Sequence, residues 1–87
     1  MKVLELRNIS REEGFIYYRR KFKCDVLMEM GKTTTETPLE FCIESNPLGV
    51  KTIELHLSKT LNYPVIPVKK ALTEFILTED NQGKLPL

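Results

Sequence analysis

The chain has 87 residues, 41% hydrophobic and 29% charged, with 13 Lys plus Arg against 12 Asp plus Glu for a net charge of +1. That length fits one domain with a modest core, burying roughly 60–65% of its unfolded surface, and the composition excludes a disordered chain. The near-zero charge gives no global pull toward nucleic acid or membrane, and no apolar run approaches the ~20 residues of a membrane-spanning helix.

Residues 2–9 read as a strand, with Val3, Leu4, Leu6 and Ile9 supplying apolar content and Glu5 and Arg7 on one alternating face. The opening residues Met1 to Leu6 are broken by Glu5, so no signal-peptide core is expected. Asn8 to Gly14 reads as a polar turn. Ser10 and Glu13 have capping-box spacing for a short helix, but Gly14 and the aromatic run behind it favour the turn.

Phe15 to Met30 carries the strongest pattern. Its even positions Ile16, Tyr18, Phe22, Cys24, Val26, Met28 and Met30 are apolar or aromatic, with Arg20 as the exception. Its odd positions include Phe15, Tyr17, Arg19, Lys21 and Lys23. A period of two predicts a strand over 15–30. Sixteen residues would span roughly 53 Å, against about 30 Å for a compact domain of this size. The strand is therefore expected to bend, bulge or project, and a projecting strand would need a partner chain to cover its edges. Arg20 is expected to snorkel or to pair with a carboxylate at the sheet edge.

Gly31 to Pro38 reads as a polar loop. Leu39, Phe41 and Ile43 alternate with Glu40, Cys42 and Glu44, which predicts a half-buried strand over 38–45. Ser45 to Gly49 is dense in turn residues, and Ile53, Leu55 and Leu57 alternate with Thr52, Glu54 and His56, giving a second strand over 50–58. The two should form a hairpin. Val68, Ala71, Leu72, Phe75 and Ile76 fall at helical spacing, predicting a helix over 66–79 with Pro67 in its first turn and Gly83 as a stop. Acidic Glu79 and Asp80 oppose the helix dipole at that end, so fraying is expected there. Residues 84–87 form a short tail. The expected fold is α+β in ββββα order: one antiparallel sheet of about four strands with the helix packed on one face.

Few residues here carry recognisable chemistry. Gly31-Lys32-Thr33 resembles the end of a phosphate-binding loop, but Val26 stands where the first glycine belongs and no helix can follow. Cys24 and Cys42 fall on opposite faces, so free thiols and a reducing, cytoplasmic setting are expected. With His56 as the only histidine, neither a metal site nor a cofactor site is expected. His56 and Glu54 are two apart and could do acid–base work, but no nucleophile is evident, so no enzyme is expected.

The surface most suggestive of binding is the row Phe15, Tyr17, Arg19, Lys21 and Lys23. Rings that stack bases and cations that track phosphates are what single-stranded nucleic-acid binders use. The plainer reading is a solvated face or a contact with a protein partner or a second copy. The element order is similar in plan to Pur-alpha-type repeats, and that resemblance implies single-stranded nucleic-acid binding by paired ββββα units. It covers element order only, so no residue role follows from it. The leading expectation is a small non-enzymatic binding module acting through the 15–30 strand, by protein contact or self-association. Nucleic-acid binding through the same residues is the alternative.

Overall fold

The computed structural model describes residues 2–12, 18–57 and 65–86. Four strands, β1 (Lys2–Glu12), β2 (Arg19–Met30), β3 (Thr33–Ser45) and β4 (Lys51–Leu57), precede one helix, α1 (Val65–Asn81). The strands form one sheet in the order β1-β2-β3-β4, antiparallel throughout. This is the ββββα architecture expected from the sequence.

The long strand is accommodated inside the sheet. The twelve described residues of β2 at about 3.3 Å each reach about 40 Å, and the molecule is 41 Å along its longest axis. β1 and β3 pair with β2 along that length, so both of its edges are used. The expectation that β2 would project and need a partner chain is therefore overturned, because its neighbours are also long. Residues 15–17 of the expected strand lie outside the described residues.

Two expected boundaries also move. Asn8 to Glu12 was expected to be a turn, yet β1 continues through it to Glu12. Register shifts between Val3 and Glu5 and between Arg7 and Ser10 each insert an extra β1 residue against β2. They bring Val3, Leu6 and Ile9, at intervals of three, onto the core. Asn8 has φ +52° at the second shift, a conformation that asparagine tolerates better than most residues. Likewise, Gly31 to Pro38 is not a loop. Only Gly31 and Lys32 turn, with Gly31 at φ +63° in the first loop position, where a type II′ hairpin favours glycine. Thr33 to Pro38 continues as strand. Pro38 is tolerated because β4 pairs with β3 only from Leu39 onward.

The helix runs two residues past its expected end. Lys84 N–H donates to the Glu79 carbonyl (2.9 Å) and Gly83 N–H to the Asp80 carbonyl (3.1 Å), with Gly83 at φ +70°. This is a Schellman cap. The expected fraying is overturned by a side chain as well. Asp80 is 7% exposed and accepts two hydrogen bonds from Arg20 (2.9 and 3.0 Å) and one from Lys51 Nζ (2.6 Å). Arg20 thus finds its carboxylate on the helix, not at the sheet edge.

One core joins these elements. Val68, Leu72 and Ile76 face Phe22, Cys24, Val26, Met28, Leu39, Phe41 and Ile43, all buried. Phe22 and Phe41 are cross-strand partners with rings stacked 5.0 Å apart. Ile53, Leu55 and Leu57 pack on the same core but stay half-buried, since β4 is an edge strand. In the tail, Leu85 is buried. No helix among the described residues is long and apolar enough to cross a membrane.

Candidate interface on the open face of the sheet

The helix covers one face of the sheet, and side-chain alternation puts a second set of residues on the other. In β2 that set is Arg19, Lys21, Lys23, Asp25, Leu27 and Glu29. The register extends it into rows across the sheet. Glu12, Lys21, Cys42 and Glu54 form one row, and Ser10, Lys23, Glu40 and His56 the next.

The structure therefore brings Arg19, Lys21 and Lys23 onto one exposed face, as the sequence implies. Phe15 and Tyr17 lie outside the described residues. The sequence did not reveal how the cations are paired. Arg19 lies 3.7 Å from Glu44 and 3.4 Å from Glu54, and Lys21 lies 3.9 Å from Glu12. Lys23 lies 3.1 Å from Glu12 and 3.7 Å from Glu40. Glu12 accordingly raises the pKa of Lys23, first by hydrogen bonding and then by its charge, with Glu40 adding to the effect. Farther along, Arg7 pairs with Glu5 and with Glu36 at 3.9 Å, and Asn8 donates to Asp25 at 3.1 Å. Each exposed pair adds little stability. Together they turn a basic stripe into a surface of alternating sign. The alternating glutamates of β3 and β4 were visible in the sequence, but their placement against β2 depends on register.

The two thiols differ in setting, and both are free and buried. Cys24 belongs to the core, where burial, with the Asp25 charge adding, pushes its pKa up to about 11. Cys42 is on the open face, 5% exposed, with its sulfur 3.2 Å from the Arg19 Nε–H that donates to it. A concavity of about 610 Å³ is lined in part by Cys42, Glu54, His56, Arg19 and Lys21, so a thiol, a carboxylate and the histidine do converge. They are not joined as a catalytic relay would be. His56 makes no hydrogen bond with Cys42 or Glu54, and Cys42 is engaged by Arg19. Among the described residues no cluster of three or more His, Cys, Asp or Glu could hold a metal ion.

Comparison with known proteins bears on ancestry alone. The chain belongs to the BB_0187 family, whose model matches residues 1–80. No curated protein and no solved structure matches it.

Proposed function

We propose that this domain is a non-enzymatic protein-binding module of the cytoplasm. Its contact surface is the open face of the sheet, centred on Arg19, Lys21 and Lys23. The observation that carries the reading is the pairing of all three cations with Glu12, Glu40, Glu44 or Glu54. A surface of alternating sign complements another protein surface of alternating sign, where charge placement supplies specificity more than raw affinity. A polyanion would have to displace or repel four glutamates. The two buried free thiols support the cytoplasmic part of the reading.

Single-stranded nucleic acid is the second reading. It is favoured by the sequence alternation of Phe15 and Tyr17 with Arg19, Lys21 and Lys23. Photo-crosslinking in cells from a probe at position 21 separates the two. The expected result is a defined protein adduct that Arg19→Glu with Lys23→Glu abolishes. Adducts to nucleic acid alone, or protein adducts indifferent to those substitutions, would overturn the protein-binding reading.

A further inference from the structure

The sheet ends in two edge strands that are built differently. β1 carries two register shifts, a residue at positive φ and charges at Glu5, Arg7, Arg11 and Glu12. Bulges and charges are the usual protection of an edge against pairing with another chain. β4 has neither bulge nor proline. It pairs with β3 without a register shift and has no outer neighbour among the described strands. From Ile53 onward its helix-side row is apolar: Ile53, Leu55 and Leu57, each half-buried. On its open-face row are Glu54 and His56, both exposed, and Glu54 is held only from the sheet side, by Arg19. An unprotected edge with an incompletely buried apolar row is fitted to accept one more strand.

We infer that the strand it accepts is β4 of a second copy, paired antiparallel about a two-fold axis at Leu55. The argument is one of complementarity. Directly opposed residues in an antiparallel pair share a face, so only registers matching apolar to apolar and polar to polar are open. A two-fold at Glu54 sets the two Glu54 carboxylates against each other, and one at Ile53 sets Lys51 against Leu55. The axis at Leu55 opposes Leu55 with Leu55, Ile53 with Leu57, and Glu54 with His56, each unequal pair occurring twice. Opposite-charge and apolar cross-strand pairs are the favourable ones. Such a contact is isologous and closes on itself. It joins two four-stranded sheets into one of eight, with both helices on the same side and the open faces continuous.

Disulfide trapping combined with sedimentation tests this directly. The chain should sediment as a concentration-dependent dimer. Leu55→Cys should give an interchain disulfide on mild oxidation, because its Cα lies opposite its own copy within the ~7 Å limit. Ile53→Cys should not, because its own copy is four residues along the strand, about 13 Å away. Glu54→Lys should raise the dimer Kd about fivefold through loss of two cross-strand pairs, and the exchange E54H/H56E should restore it. Thermal melting of each variant confirms that it is folded. Crosslinking through Glu54→Cys or Ile53→Cys but not Leu55→Cys would overturn the register. A monomer at all concentrations would overturn the dimer and leave the open-face reading standing, since that reading uses a different surface.

Discussion

Replacing Asp80 with alanine should be among the most damaging changes possible at a site that looks polar and peripheral in sequence. Asp80 is 7% exposed, while Arg20 is 27% and Lys51 31% exposed. Its removal deletes three charge-assisted hydrogen bonds and leaves two neighbouring cations facing each other at the end of α1. Hydrogen bonds to charged groups contribute about 1.5–3 kcal/mol each when buried. Arg20 and Lys51 can partly rehydrate, so the net loss should be about 2–3 kcal/mol, not the sum. For a domain of this length that lowers Tm by about 10–20 °C. The hydrogen bond from Arg20, followed by that from Lys51, holds the Asp80 carboxyl below its ordinary pKa, against the opposing effect of burial. A depressed folded pKa contributes stability that is present above the unfolded value near 4 and is lost as pH falls through the folded value. The gap between wild type and Asp80→Ala, measured by urea unfolding, should therefore be full at pH 7 and shrink below about pH 4. A gap under about 0.5 kcal/mol at pH 7, or one unchanged at pH 3, would refute the clamp.

Three further outcomes follow from the core and its ends. Thr37 is 1% exposed and its hydroxyl has no hydrogen-bond partner among the described residues, so Thr37→Val should be neutral or stabilising by up to about 1–2 kcal/mol in denaturant melts. Leu72→Ala and Phe41→Ala should each cost about 2–5 kcal/mol, and near-wild-type melting of both would sink the core assignment. With Cys24 inside the core and its pKa raised to about 11, the folded protein should show slow labelling of that thiol at neutral pH. Rapid labelling without unfolding would contradict its placement.

The sequence was legible where one strong local pattern decided the structure. Period-two alternation located β2, most of β4 and the second half of β3, and helical spacing located α1. It was misleading where the fold breaks its own period. Two inserted residues in β1 move the core contacts to Val3, Leu6 and Ile9, so the stretch from Asn8 onward lost its alternation and looked like a turn. The first half of β3 was missed because Thr33, Thr34, Thr35 and Thr37 are polar, although β-branched threonine favours strands. Thr37 even occupies a core position beside Val26. The Asp80 clamp could not be read locally, since its partners lie 60 and 29 residues away. For the same reason the basic row of β2 was visible but its neutralisation was not. Lys21 and Lys23 meet Glu12 and Glu40 only through the register of three strands.

That neutralisation is the central claim, and it is tested most directly by titrating a fluorescent single-stranded oligonucleotide with the protein at low salt and following anisotropy. The account predicts no saturable binding in the micromolar range, because the cations that would track phosphates are held by glutamates. Saturable binding that weakens steeply with salt, with a slope flattened by Lys21→Ala and Lys23→Ala, would contradict it.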